Sequence, residues 1–561
     1  MYLSRAKAFT VASLILCALV NSNTLTWWFS RATDSSAPAQ EASSNRTDQK
    51  ENEQIKQTDS QTSPVPVEQT NNTSVKKDTP APCENLINPY ALGFTSLEKE
   101  FELKDMRVLG EIPSWLNGSF MVVGPGKFEI DKSKAGHWFD GFAMLHRFSF
   151  NAGRASYANK FINSEYLQES RANGKMSTAA SASDPNASFF SKMASALSDE
   201  AKPRYDNTNI NIACFGSCCV ALTESPLALI YDPHTLKTKG ELTYNDTFDP
   251  HMSCAHPIFD AHTNEYYGLA TTFGNTSSYS VYKLNTKKME RIVLTTINSS
   301  LPSYMHSFSV TKRFIILTEI PFVVSPYDLI MSGKPFIENF QWKGKQKTRV
   351  HVIDRATGTL LGTVNTLPFF AFHHINAWDE NDTIALDCAA YDDASIVHAF
   401  FLNPILNSKE HTFPHAKLMQ INITFENGNK RKPLADTKIM SSTPIEMPRI
   451  NNTVHMQPYK YVYGVNNSQK NTFFNQLVKI ERATGTATFW KADHCHPTEP
   501  VFVAKPNAKN EDDGILLSVV LNTQHCYSFL LIVDAATMRE IARVDLAHHI
   551  PYSVHGNYYP R

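Results

Sequence analysis

Four histidines stand in apolar, strand-like runs where a polar ring costs free energy unless it finds a partner. His256 lies in Ser253-Cys254-Ala255-His256-Pro257, and His306 in Tyr304-Met305-His306-Ser307-Phe308. His373 opens the pair in Phe370-Ala371-Phe372-His373-His374-Ile375-Asn376-Ala377-Trp378. His555 sits in Val554-His555-Gly556-Asn557-Tyr558. Each falls at the start or end of a β-like run, and each in a different part of the chain. If the fold brings them together, four neutral imidazoles make a ligand set for a borderline first-row metal such as Fe(II). Such a set carries no carboxylate, so the ion keeps its charge and open positions for a small ligand such as dioxygen.

A metal-bound imidazole needs an acceptor for its other ring N–H. Three glutamates lie in apolar surroundings: Glu224 in Leu222-Thr223-Glu224-Ser225, Glu446 in Ile445-Glu446-Met447, and Glu499 in Thr498-Glu499-Pro500. Each is a candidate acceptor, and each reads equally well as a strand-edge carboxylate in water. His494-Cys495-His496 looks metal-like, but alternate residues of a strand face opposite ways. His548-His549 and His251 read as structural or surface residues.

The elements that must position these residues are β-strands. From residue 83 onward short β-rich runs alternate with Asp/Asn/Gly/Pro turns. One unit recurs: an apolar strand, a polar turn and a second strand. It appears at 229–236, 281–286, 352–358, 478–485 and 532–537. Recurrence over tens of residues predicts a β-propeller with insertions, whose inner strands converge on an axis. The irregular spacing leaves the number of blades open. The best helix candidate is 187–200, with Phe189, Phe190, Met193 and Leu197 on one side.

The rest of the composition bounds the possibilities. The 53 basic and 54 acidic residues cancel, which predicts no nucleic-acid partner. The 34 Phe and 21 Tyr suit β structure and an apolar cavity. Nine cysteines are scattered without zinc spacing, so buried free thiols are the default reading. Residues 1–30 combine Arg5 and Lys7 with an apolar run from Ala8 to Val20, which reads as a signal peptide or a signal anchor. A mitochondrial presequence is a third reading. Residues 31–82 are a polar Ser/Thr/Gln/Asn/Pro stretch that reads as a disordered linker. Sequons, including Asn45, Asn117, Asn275, Asn298, Asn381, Asn451 and Asn466, fit a luminal or extracellular location.

A set of ordered motifs then becomes recognisable. They include Asn117-Gly118-Ser119-Phe120, His137-Trp138-Phe139-Asp140-Gly141, Asp206-Asn207-Thr208-Asn209-Ile210-Asn211, and Ala255-His256-Pro257. His306-Ser307-Phe308, Phe372-His373-His374-Ile375-Asn376-Ala377-Trp378, Glu511-Asp512-Asp513-Gly514 and His555-Gly556-Asn557-Tyr558-Tyr559 follow. Over roughly 85–561 the chain resembles the carotenoid oxygenase family, in its branch of animal carotene-cleaving oxygenases and retinal pigment epithelium isomerohydrolases.

The resemblance implies an all-β, seven-bladed β-propeller capped by a dome of loops and short helices. It implies Fe(2+) held by His256, His306, His373 and His555, with Glu224, Glu446 and Glu499 orienting three of them. His374 is not carried over as a ligand. The implied reaction is cleavage of a conjugated double bond of a carotenoid or apocarotenoid by O2, giving aldehydes such as retinal. Retinoid isomerohydrolysis on the same scaffold and a non-catalytic carotenoid-binding propeller are the alternatives. Phe139, Phe369, Phe370 and Phe372 are expected to line the approach. The Phe189, Phe190, Met193 and Leu197 face either dips into a membrane or packs on the dome. The N-terminal segment points to the secretory pathway, whereas animal members of the family are usually cytosolic or mitochondrial.

Overall fold

The computed structural model describes residues 86–176, 205–332, 334–425 and 432–561. The targeting segment, the polar linker and the predicted helix at 187–200 lie outside the described residues. Strands dominate, and they assemble into a seven-bladed β-propeller.

The five recurring units of the sequence are the outer hairpins of five blades. They join Ala228–Tyr231 to Thr238–Glu241, Ser277–Asn285 to Glu290–Ser299, and Thr348–Asp354 to Leu360–Thr366. Gln476–Glu481 with Ala487–Trp490, and Tyr527–Asp534 with Glu540–Asp545, complete the set. Their turns close in related ways, with an Asp, Asn or Glu side chain accepting from backbone N–H or threonine groups of the loop. Asp354 accepts from the Thr357 N–H at 2.8 Å and the Thr357 hydroxyl at 2.9 Å. Asp534 accepts from the Thr537 N–H at 2.8 Å and its hydroxyl at 2.7 Å.

At the opposite edge of each sheet lies the inner strand. In chain order these are Asn211–Phe215, Met252–Ser253, Ser309–Val310, His374–Glu380, Glu446–Arg449, Cys495–Pro497 and His555–Pro560. The last closes the ring. It pairs antiparallel with Gly118–Lys127, placing His555 opposite Val123. Val108–Gly110 returns the favour by pairing with Glu540–Asp545 on the neighbouring blade, whose inner strand is Cys495–Pro497. The closing strand runs so near its neighbour that a Cβ on Gly556 would meet the Met121 carbonyl oxygen at 2.6 Å. The residue after His555 therefore has to be glycine.

Above the inner strands, loops and short helices carry an aromatic layer. Phe94, Trp138, Phe139, Phe400, Phe413, Phe473 and Tyr552 pack edge-to-face at ring separations such as 5.1 Å for Trp138–Phe400 and 5.7 Å for Trp138–Phe473. Aromatic pairs prefer this geometry. The turn bearing Trp138 and Phe139 is tied down by the Asp206–Asn211 motif. The Asn209 amide donates to the Phe139 and Gly141 carbonyls at 2.7 and 2.8 Å, and Asn207 donates to Gly141 at 2.8 Å.

The expectation of free cysteines needs correction. Cys214 and Cys219 face each other across the hairpin of Asn211–Phe215 and Cys218–Leu222 and form a disulfide. Cys526 is also disulfide-bonded. Cys218, Cys254, Cys388 and Cys495 are free, the last three of them buried.

Candidate metal centre

The four histidines predicted as ligands come from four different blades and meet. Their candidate ligand atoms all lie within 4.8 Å of one another. His256 follows the inner strand of one blade, and His306 precedes that of the next. His373 immediately precedes the inner strand His374–Glu380, and His555 begins the closing strand. The three glutamates come from the remaining three blades: Glu224 just after Cys218–Leu222, Glu446 opening Glu446–Arg449, and Glu499 after Cys495–Pro497.

Each glutamate takes one ring. Glu224 lies 2.6 Å from His306 Nδ1, Glu446 2.7 Å from His373 Nδ1, and Glu499 2.8 Å from His555 Nδ1. Burial alone would raise both the Glu446 and the Glu499 carboxyl. For Glu446 the His373 ring, with the Met447 N–H and the Tyr391 hydroxyl, outweighs it and holds the group below the usual range. For Glu499 the Arg449 charge and His555 bring it down to about 2. An ionised carboxylate accepts only, so the Nδ1 atoms facing Glu446 and Glu499 carry the proton and the Nε2 atoms of His373 and His555 present a lone pair.

His373 Nε2 and His555 Nε2 are 3.3 Å apart, and His256 Nε2 and His306 Nε2 are 3.1 Å apart. With Nδ1–H tautomers on His373 and His555, two lone pairs point at each other in a buried space. A cation between them would accept both lone pairs. A proton is disfavoured, because burial lowers His555 to about 4 despite Glu499, and burial with the neighbouring imidazoles holds His256 well below the ordinary histidine range. A metal ion fits the donor set. His256 has no carboxylate partner among the described residues.

His374 behaves differently. Both its ring nitrogens are occupied, Nδ1 by the Ser309 hydroxyl at 2.9 Å and Nε2 by the Thr318 hydroxyl at 2.8 Å. Burial lowers its pKa to about 3. It clamps adjacent blades. His496 is likewise structural, with Nδ1 on the Phe474 carbonyl at 3.1 Å.

Beside the tetrad is a cavity lined by His306, His373, His555 and Glu446, and otherwise by Phe139, Ile210, Phe372, Phe400, Met447, Phe474 and Val554. Of the four phenylalanines expected to line the approach, Phe139 and Phe372 do, whereas Phe369 and Phe370 are buried outside the lining. Phe370 stands edge-on to Phe372, with ring centres 4.8 Å apart. Sequence reasoning missed Met447, which adopts φ 48° at a register shift in its strand. Such a bulge re-aims side chains, and here it turns Glu446 toward His373. Its only sequence signal is position, one residue after a candidate glutamate.

Comparison with known proteins agrees with this geometry. The family model described as "Retinal pigment epithelial membrane protein" (RPE65) matches residues 94–560. The chain belongs to this family. Among RPE65-family relatives, the Macaca fascicularis protein named "Carotenoid-cleaving dioxygenase, mitochondrial" is 29% identical, over 89% of this chain and 99% of the relative. The Mus musculus "Beta,beta-carotene 15,15'-dioxygenase" is 29% identical over 82% of this chain and 90% of its own. The Galleria mellonella "Carotenoid isomerooxygenase" is 27% identical, covering 81% and 93%. A crystal structure of a chimera of RPE65 with the Synechocystis apocarotenoid oxygenase superposes with TM-score 0.74 at 25% identity, covering 84% of this chain and 98% of that one. These RPE65-family relatives are thus named as carotenoid dioxygenases and an isomerooxygenase.

Proposed function

We propose that this chain is an Fe(II)-dependent dioxygenase that cleaves a conjugated double bond of a carotenoid or apocarotenoid with O2, giving aldehyde products such as retinal. One observation carries the reading: four imidazoles converge beside a chamber whose other walls are almost wholly aliphatic and aromatic. Iron, when bound, supplies a centre that activates dioxygen. His256, His306, His373 and His555 would hold it, and Glu224, Glu446 and Glu499 fix three rings with Nε2 facing inward. Phe139, Phe372, Phe400 and Phe474 exclude water and present flat apolar faces to a polyene. The cavity is about 20 Å³, the size of one water, so a polyene enters only by displacing these rings.

The test is incubation of purified protein with β-carotene and, separately, a retinyl ester under 18O2. Labelled aldehyde from the carotenoid supports cleavage. Isomerised retinol without label would support isomerohydrolysis, and neither product with no bound metal would support a binding protein.

We also propose passage through the secretory pathway. Paired cysteines are favoured in oxidising compartments, and Cys214–Cys219 and Cys526 are paired. The sequon residues Asn275, Asn298 and Asn381 are exposed, whereas Asn451 and Asn466 are buried and closed to a glycan. Some RPE65-family relatives are named as mitochondrial, and among the described residues no helix is long and apolar enough to cross a membrane. A mobility shift on glycosidase treatment is expected; its absence together with mitochondrial import would reverse the assignment. Membrane contact through Phe189, Phe190, Met193 and Leu197 remains part of the proposal, tested by vesicle flotation of a variant with both phenylalanines changed to serine.

A further inference from the structure

The glutamates that hold the histidines are themselves held. Glu224 accepts the Tyr304 hydroxyl on both oxygens, at 2.7 Å each. Glu446 accepts the Tyr391 hydroxyl on Oε1 at 3.2 Å, while the Met447 N–H serves its other oxygen. Glu499 accepts from Arg449 Nη2 at 3.1 Å, with Arg449 Nε 3.0 Å from its other oxygen and the Gly556 N–H donating at 2.9 Å. Tyr304 and Tyr391 are buried, and Arg449 is three-quarters covered.

We propose that Tyr304, Tyr391 and Arg449 form an outer ring of positioning residues for the metal centre, one per glutamate. The inference rests on the tetrad holding a divalent ion and adds residues that sequence reasoning did not single out. Two arguments support it. The first is geometric. A carboxylate fixed only by the ring it orients can swing with that ring, and a second donor on the far side stops this. Outer partners of ligating histidines tune metal affinity in this way. Arg449 does more than the tyrosines, since its Nη2 also donates to the Gly556 carbonyl and to Asn557 Oδ1 at 3.3 Å. It therefore ties the Glu446 strand, the Glu499 loop and the closing strand of His555 together.

The second argument is charge. Among the described residues Arg449 is the one Lys or Arg paired with these three carboxylates. With a divalent ion and neutral imidazoles the buried cluster sums to zero: +2 from the ion, −3 from the glutamates and +1 from Arg449. Buried charge is tolerated when compensated, so this inventory fits a dication. The two phenols hold their carboxylates without adding charge, whereas Arg449 supplies the one positive charge the sum requires.

The experiment uses cobalt(II) as probe. Full-length wild type, Tyr304→Phe, Tyr391→Phe, Arg449→Lys and Arg449→Gln are loaded with Co2+. Release to excess chelator is followed by the cobalt absorption bands, alongside Tm of the metal-free proteins. Tyr304→Phe should release cobalt about 10-fold faster, because Glu224 then keeps only His306. Tyr391→Phe should act about threefold, because Met447 still holds Glu446. Arg449→Lys should not rescue Arg449→Gln, since an ammonium cannot reproduce the guanidinium's placement against both Glu499 and the last strand. Altered cobalt bands with unchanged metal-free Tm in the phenylalanine variants is the expected signature of positioning. Release rates and bands like wild type in both phenylalanine variants would overturn the outer ring while leaving the proposed dioxygenase intact. No cobalt or iron bound by wild type would overturn both.

Discussion

Two groups of buried histidines in this protein look alike by burial and differ in chemistry. In the axial tetrad, three rings give Nδ1 to a carboxylate and turn a bare Nε2 toward another imidazole. In the second group, His146 Nδ1 meets the Tyr157 hydroxyl at 2.8 Å and His548 Nε2 lies 3.5 Å from the same hydroxyl. His548 also stacks on Phe101 with ring centres 4.1 Å apart. Burial lowers both His146 and His548 to about 3, and no carboxylate faces either ring among the ion pairs of the described residues. Burial of a histidine is therefore no sign of function. What sets three of the four axial rings apart is a carboxylate on Nδ1 and an Nε2 turned toward another imidazole.

The largest effect should come from breaking the tetrad. His373→Ala or His555→Ala should abolish bound metal and carotenoid cleavage together, read by elemental analysis and product chromatography. Next, Glu446→Gln keeps an acceptor but loses the charge, and metal affinity should fall about 10- to 100-fold with the fold intact. A clamp should fail differently. His374→Ala leaves the Ser309 and Thr318 hydroxyls unpaired and should cost about 1–3 kcal/mol in urea unfolding, with metal stoichiometry unchanged. Loss of metal in that variant would erase the distinction between the neighbouring histidines.

A further effect concerns acid. An unfolded chain protonates His146 and His548 below about pH 6.5, while the folded chain keeps them neutral until about pH 3. The unfolded state thus binds more protons in that window, so stability falls as pH drops. The slope is about 1.4 kcal/mol per pH unit for each group. His146→Gln should flatten the decline between pH 6 and 4 relative to wild type, and an unchanged slope would show that these rings do not govern it.

The tetrad was legible because its rings break a local rule, each a titratable ring in an apolar run at a strand end. The outer hairpins were legible because their Asp/Thr/Gly turns repeat. The glutamates required the resemblance, since nothing local separates Glu499 from a wet strand-edge carboxylate. The outer residues were illegible for a different reason. Arg449 reaches Glu499 across 50 residues and the closing strand across 107, and Tyr391 reaches Glu446 across 55. Such contacts exist only once blades are set side by side. The Cys214–Cys219 bridge depends on register, which spacing alone does not fix, because Cys218 is just as close in sequence and is left free. The blade count is likewise a property of closure, made by strands pairing from the two ends of the propeller.

The most direct test of the account is metal content. Wild type and His373→Ala are refolded or expressed with ferrous iron under anaerobic conditions, dialysed against chelator, and assayed by elemental analysis. The account predicts close to one iron per wild-type chain and almost none in His373→Ala. Equal iron in the two proteins, or none in wild type, would contradict the claim that these four histidines are a metal centre.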